Sequence, residues 1–343
     1  MKVLQKKSCR PFVILNLTDT HFDNEALDDT NIEQRILFHT VTELVNRTKP
    51  DLITITGDFA WTTKIRSYQR FTDFLDSFDI PWAPIFGNHD HSDNQEYLQT
   101  ESGVHFAKET EDLLRIWKNS KNCFFESGAP EIGIGNYIIR IEENGKPIHA
   151  LFMTDSQYYR PIIDAHGQLV INADGTPMLC MNDMSPLQSK WYSDAVDAWI
   201  AEGGKSSSIL MHVPFKIHRD SFYKALAEGV DPMSVSTDEA LQKDCWKPEY
   251  AESIGVVHED IDGPEDECGI FDTIVEKNNT KLLLAGHDHL NNTIIRYRGV
   301  TVAFALKTGC AAYWDPTLNG GTTITINSNG SIQIKHHYVK ADV

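Results

Sequence analysis

Residues 12–21 read FVILNLTDTH, and the fold turns on how that stretch divides. Five of its first six residues are apolar, and the run predicts a strand. Asp19-Thr20-His21 then follows with two side chains that bind cations. The same order recurs four times. Run 52–56 leads to Gly57-Asp58, run 82–86 to Gly87-Asn88-His89-Asp90, run 209–211 to His212, and run 282–285 to Gly286-His287-Asp288-His289. In an open α/β sheet, ligands collect outside the carboxyl ends of parallel strands, so five such ends can converge on one crevice. Asp, Asn and His together suit hard or borderline divalent metals, and there are enough of them for two ions sharing a bridging carboxylate. Taken singly each segment is weak: Asp-x-His also serves as a cap, GNHD as a turn bonding its own backbone, and a lone His as a core residue. Five in order, all at strand ends, predict a dinuclear metal hydrolase.

The intervening sequence supplies the rest of an α/β pattern. Thr30 and Glu33 read as a capping box before Ile32, Ile36, Val41 and Leu44, an amphipathic helix that stops before Pro50. Ser67 opens a second helix whose Tyr68, Phe71, Phe74, Leu75 and Phe78 share a face, and a third helix is expected around 105–118. Helices leading into strands imply βαβ units with right-handed crossovers. After Gly135 come neighbouring strands at 137–141 and 150–154. Ser185-Pro186 then starts a helix with Leu187, Trp191, Ala195 and Trp199 on one side. Residues 270–276 are expected to be helical, and the tail to form a hairpin, 322–327 with 331–339, about Ser328-Asn329-Gly330. Mixed sheets flanked by helices, with ligands from both halves, predict one domain over residues 1–343. Segments 157–183 and 215–264 break the regularity. Each follows a motif strand, so both are expected to overhang the crevice as substrate-selecting walls.

Composition narrows the partners. A formal net charge of −18 over 343 residues argues against duplex DNA or an anionic membrane surface, which require clustered Lys and Arg. With 41% hydrophobic and 23% charged residues the chain is expected to be globular. No stretch approaches the roughly 20 apolar residues of a membrane span, and the basic start lacks the apolar core of a secretory signal. Six cysteines, Cys9, Cys123, Cys180, Cys245, Cys268 and Cys310, include no CxxC pair and fit reduced thiols in the cytoplasm. Cys245 and Cys268 flank an acidic loop and are the pair to check for a bridge. There is no Gly-x-Ser-x-Gly elbow and no GxxxxGK[ST] phosphate loop.

The five blocks resemble the calcineurin-like metallophosphoesterase superfamily, whose motifs run Asp-x-His, Gly-Asp, Gly-Asn-His-Asp/Glu, His and Gly-His-x-His. All five are intact here, from Asp19 to His289. The resemblance implies a four-layer α/β/β/α sandwich of two stacked mixed sheets. It also implies roles: one metal on Asp19, His21 and His289, a second on Asn88, His212 and His287, and Asp58 bridging both. His89 would stand beside the metals as a non-ligand, with Asp90 supporting it. Segments 57–61, 153–156, 186–191 and 307–309 look like a eukaryotic branch related to purple acid phosphatases. True purple enzymes carry a Tyr ligand where this chain has Trp61, which cannot coordinate. No charge-transfer colour is therefore expected, and the metals are open among Mn, Zn, Fe and Mg. His91 reads as a surface residue or one just behind the ligands. Asp155-Ser156 with Tyr158-Tyr159 reads as a pocket wall or an ordinary turn. Arg160, Lys216, His218 and Arg219 read as phosphate contacts or solvated loop residues.

Elementary electrostatics agrees with that division. Two dications outweigh Asp19, Asp58 and a bridging hydroxide, so the centre is net positive inside an acidic protein and draws a phosphate ester. Metal coordination lowers the pKa of a bound water to roughly 7, and His89 is placed to protonate the leaving oxygen. The expected function is a phosphomonoesterase acting on a phosphoprotein or a small phosphorylated metabolite. A phosphodiesterase on a cyclic nucleotide or lipid-derived diester is the alternative, and a non-catalytic scaffold the third reading.

Overall fold

Alternating apolar strands and amphipathic helices assemble into two sheets in a computed structural model. It describes residues 2–23, 29–60, 65–90, 98–100, 103–105, 108–156, 160–161, 168–176, 178–180, 183–265 and 268–341. The elements begin with β1 (Lys2–Gln5), β2 (Phe12–Leu17), α1 (Ile32–Thr48), β3 (Leu52–Thr56), α2 (Ile65–Asp76) and β4 (Trp82–Ile85). Next come β5 (Leu98–Thr100), β6 (Gly103–His105), α3 (Lys108–Asn119), β7 (Tyr137–Glu143), β8 (Lys146–Met153), β9 (Arg160–Pro161) and β10 (Leu179–Cys180). The remainder is α4 (Pro186–Ala201), β11 (Ser206–Leu210), α5 (Lys216–Ala225), α6 (Ile270–Lys277), β12 (Thr280–Ala285), β13 (Ile294–Tyr297), β14 (Val300–Phe304), β15 (Gly320–Ile326) and β16 (Ile332–Tyr338).

The five-stranded sheet runs β16-β15-β2-β3-β4, and the seven-stranded sheet β1-β7-β8-β11-β12-β14-β13. In the first, β2, β3 and β4 are parallel and the C-terminal hairpin joins β2 antiparallel. In the second, β8, β11, β12 and β14 are parallel, with antiparallel neighbours β7 and β13. Side chains alternate across a strand, and here the alternation divides two cores. Leu282 and Leu284 of β12 join Ile14, Ile53 and Leu210 between the sheets, whereas Leu283 and Ala285 join Tyr192, Phe222 and Ile274 beneath α4, α5 and α6. Helix α1 packs on β2 and β15 of the five-stranded sheet. The architecture is therefore two mixed sheets flanked by helices.

Several local expectations shift. The cap of α1 is Asn31, whose side chain accepts from the Gln34 N–H, rather than the Thr30–Glu33 pair. Ser185 and Gln188 do form a capping box on α4, but the buried face is Gln188, Tyr192, Val196 and Trp199, and Leu187 is 53% exposed. Gln188 turns inward because its amide donates to Asn136 Oδ1 (3.1 Å) and the Asp155 carbonyl (2.7 Å), satisfying a polar group that would otherwise stay in water. Helix α3 begins at Lys108, and His105 lies in β6. Segment 215–264 contains α5 and short 3₁₀ turns, and buries Phe222, Trp246, Val256 and Val257 in the outer core. Cys245 carries a free thiol, so it is not bridged to Cys268. Among the described residues no helix is long and apolar enough to cross a membrane.

Candidate metal centre

Asp19 and His21 follow β2, Asp58 follows β3, Asn88 follows β4, His212 follows β11, and His287 and His289 follow β12. The carboxyl ends of both sheets thus meet. His21 Nε2 lies 3.1 Å from His289 Nε2 and 3.3 Å from Asp58 Oδ2. His289 Nε2 is 3.5 Å from Asp19 Oδ1. On the other side, His212 Nε2 is 2.9 Å from Asn88 Oδ1, 3.3 Å from His287 Nδ1 and 3.4 Å from Asp58 Oδ2. One carboxylate oxygen of Asp58 thus faces a histidine of each group. The ligand atoms of Asp19, His21 and His289 lie within 4.8 Å of one another, as do those of Asp19, Asp58 and His212.

The donor set fits two metal ions. A ligating imidazole needs an unprotonated nitrogen toward the metal, and the partner of its other nitrogen fixes which one that is. His289 Nδ1 donates to the Tyr313 carbonyl (2.8 Å) and His212 Nδ1 to the Thr56 carbonyl (2.8 Å). His287 Nε2 faces Asp262 Oδ2 at 3.3 Å. In these three the outer nitrogen is occupied, so the inner nitrogen faces the shared space.

Backbone geometry shows why the motifs have their spelling. Asp19 (φ 52°), His21 (φ 41°), Asp58 (φ 49°) and His287 (φ 73°) all sit in the left-handed region, uncommon for residues with a side chain. Such conformations persist only where the surroundings hold them. Gly57 has φ +87°, and a Cβ there would meet His212 Nδ1 at 2.4 Å; a Cβ on Gly87 would meet Asp58 Oδ1 at 2.2 Å. The motif glycines let His212 and Asp58 approach the neighbouring backbone. Asp19 and Asp58 are further held by the His287 N–H (3.1 Å), the Thr18 hydroxyl (2.7 Å) and the His89 N–H (2.9 Å).

Burial would push the Asp58 carboxyl up, but His212 and His21 outweigh it and hold the group well below its ordinary range. Asp19 is lowered likewise, with His289 and His212 overcoming burial. His21 is pushed down to about 3 by burial, against the pull of Asp58. His212 is raised to about 10, because Asp58 and Asp19 exceed the effect of burial. Ionised buried carboxylates that stabilise a proton on His212 make this a cation-seeking centre. Lys307, buried and donating to the Asp19 carbonyl at 2.6 Å, is lowered to about 8 by burial against those same carboxylates.

His89 is half-buried, its ring centroid 5.3 Å from that of His21. Asp90 is fully buried and accepts from the Phe59 (3.1 Å), Ala60 (3.4 Å) and Gly87 (2.7 Å) amides and from the Tyr68 hydroxyl. These bonds tie the turn after β3 to the turn after β4. Burial and the nearby Asp58 raise its carboxyl to about 7.

Other expected contacts fall elsewhere. Ser156 Oγ accepts from the His212 and Val213 amides and so supports the turn that carries His212. Arg219 donates to the carbonyls of Ile261, Gly263 and Pro264, Lys216 pairs with Asp220, and His218 is buried against Phe304. Trp61, His91, Tyr158, Tyr159 and the Arg160 side chain lie outside the described residues. Sequence reasoning missed Asp262, Tyr313 and Glu259. Tyr313 stacks on His289 with centroids 4.2 Å apart, and its hydroxyl donates to Glu259 (2.7 Å). All three sit in irregular segments with no periodic signal; Lys307 at least stood in a family-like run.

With this geometry in hand, comparison with known proteins gives a consistent result. The calcineurin-like phosphoesterase family profile matches residues 12–291. A protein of Arabidopsis thaliana described as probable inactive purple acid phosphatase 14 is 24% identical over 284 residues, covering 77% of this chain. The chain spans 60% of that relative's length. A probable cyclic nucleotide phosphodiesterase of Xenorhabdus bovienii is 23% identical over 175 residues, 49% of this chain and 68% of the relative. Among solved structures, the purple acid phosphatase PPD1 of yellow lupin (Lupinus luteus) superposes with TM-score 0.50 at 10% identity, covering 96% of this chain and 52% of that one. The profile match covers most of the sequence, and the chain belongs to the calcineurin-like phosphoesterase family.

Proposed function

We propose that this chain is a dinuclear-metal phosphoesterase, a phosphomonoesterase acting on a phosphoprotein or a small phosphorylated metabolite. The observation that carries the reading is the convergence of seven Asp, Asn and His side chains from two sheets, with the imidazole of His89 beside them. Asp19, His21 and His289 would hold one ion, Asn88, His212 and His287 the other, and Asp58 both. Bound there, two cations supply Lewis acidity toward a phosphoryl group and activate a water near neutral pH. His89 delivers a proton to the leaving oxygen. Asp90 fixes the two turns that carry Asp58 and Asn88. No side chain acts as nucleophile, so no covalent phosphoenzyme forms. We read residues 1–343 as one such domain, placed in the cytoplasm.

The test compares p-nitrophenyl phosphate with its bis ester after Mn²⁺ loading. The account expects faster turnover of the monoester. The family resemblance to a described phosphodiesterase favours the second reading, cleavage of a cyclic nucleotide or lipid-derived diester; preference for the bis ester selects it. Two bound metals with no turnover of either ester would select the non-catalytic scaffold, in keeping with the "inactive" description of the plant relative.

A further inference from the structure

At the amino ends of the strands, opposite the metal centre, lies a cleft of about 350 Å³ whose lining includes Lys205, Lys281 and Arg296. Three cations around one concavity are unexpected in a chain of net charge −18, and their pairing makes them more so. Several exposed basic side chains elsewhere find carboxylates: Arg298 pairs with Asp272, Lys277 with Asp197 and Lys190 with Asp194. Among the described residues the three cleft cations pair with none. Lys205 Nζ donates to the Ser328 carbonyl (2.5 Å) and Lys281 Nζ to the carbonyl and side chain of Asn278 (2.9 and 2.7 Å). Arg296 is exposed, and its guanidinium makes no hydrogen bond or ion pair among the described residues.

The backbone brings two of these cations together. Strand β12 pairs with β11 as Ser207↔Thr280 and then Ser208↔Leu282, so Lys281 is an extra residue in the ladder. Such a bulge re-aims a side chain. Thr280 bonds Tyr192 under α4, and Leu282 enters the core between the sheets; without the bulge the two would face the same way, leaving Lys281 on the opposite face. Arg296 of β13 sits across from Thr301 of β14, and Thr301 is itself the partner of Leu282, so Lys281 and Arg296 are near neighbours. Their mutual repulsion contributes, after burial, to lowering the Lys281 ammonium. The turn at Asn329-Gly330-Ser331 closes the cleft from the other sheet, where a Cβ on Gly330 would strike Lys205 Cβ at 2.6 Å.

We propose that this cleft is a binding site for a phosphate-bearing ligand, with its oxyanion seated between Lys281 and Arg296 and within reach of Lys205. A dianion there relieves the like-charge contact and supplies charge-assisted hydrogen bonds to an arginine that otherwise has none. Six residue steps separate Lys281 from His287, most of them along β12, so at about 3.3 Å per residue the cleft lies up to ~20 Å from the metal centre. It is therefore a second site rather than a part of the first.

The experiment titrates the Mn²⁺-loaded protein calorimetrically with inorganic phosphate and, separately, with adenosine monophosphate. Wild type, Arg296→Glu and Lys281→Ala are compared, and wild-type crystals are soaked in tungstate. Wild type should show a binding event that Arg296→Glu abolishes and Lys281→Ala weakens by about tenfold or more. p-Nitrophenyl phosphate turnover and thermal midpoint should be unchanged, and tungstate density should appear between Lys281 and Arg296. Tighter binding of the nucleotide identifies a phosphorylated molecule as the occupant, and tighter binding of phosphate identifies the free ion. Coincident isotherms for wild type and Arg296→Glu, or tungstate at the metal centre alone, would overturn the proposal whether or not the metal centre is catalytic.

Discussion

Replacing Asp90 with alanine removes the acceptor that joins the turn after β3 to the turn after β4. The carboxylate is fully buried and takes the Phe59, Ala60 and Gly87 amides together with the Tyr68 hydroxyl. Alanine offers no acceptor, so three buried N–H groups lose their partner. A buried donor left unsatisfied costs about 1–3 kcal/mol. Three therefore predict a loss of at least about 3 kcal/mol, a large share of the roughly 5–15 kcal/mol that separates a folded domain from its unfolded chain. Tyr68→Phe deletes the hydroxyl that donates to Asp90 and lies 3.1 Å from the Ala60 carbonyl, and should lose about 0.5–1.5 kcal/mol. Urea unfolding of the EDTA-treated protein measures both, because metal binding then adds nothing to the difference. If Asp90→Ala unfolded at the wild-type urea midpoint and lost only turnover, Asp90 would act through His89 and the backbone-tying role would be refuted.

His89→Ala should retain metals while kcat falls by about 10²–10⁴-fold; elemental analysis beside steady-state kinetics separates the two effects. Asp262 faces the outer nitrogen of His287 at 3.3 Å, so Asp262→Ala should weaken binding of a metal ion by about 10–100-fold in a chelator competition. Acid should also destabilise the fold. Burial holds His149 down to about 3, and His218 and His336 down to about 4. Each is neutral when folded yet takes up a proton near pH 6.5 when unfolded, so stability is full above that pH and falls as pH drops toward the folded values. The slope is about 1.4 kcal/mol per pH unit for each histidine. Urea midpoints between pH 7 and pH 5 should fall steeply, and less so in His149→Gln; a flat profile would contradict the buried neutral state.

The candidate metal centre is legible in sequence because it lies at strand ends. Apolar runs fix where each strand stops, and the candidate ligands are the next residues along. Asp90 shows the limit of that reading. Its place in GNHD was plain, but two of the three amides it accepts, those of Phe59 and Ala60, come from a segment about 30 residues earlier, and only folding brings them together. The α4 face failed for a related reason: Gln188 is buried by two hydrogen bonds that no hydropathy pattern encodes. At α1, Thr30 and Asn31 both suit a cap, and the choice between adjacent capping residues depends on where the first helical turn docks. Segment 215–264 lacked a long period because its 3₁₀ turns are only three residues each, although α5 within it carries Phe222 into the core. Asp262 and Tyr313 lie outside any helix or strand, so their positions against His287 and His289 are wholly tertiary.

Metal content per chain is the most direct check. Protein dialysed against Mn²⁺ and then desalted should carry two ions by elemental analysis, and anomalous density should lie between Asp19, His21 and His289 and between Asn88, His212 and His287, astride Asp58. Asp58→Asn should lose both. A loaded wild type holding fewer than two ions, or an Asp58→Asn variant holding as many as wild type, would contradict the shared centre.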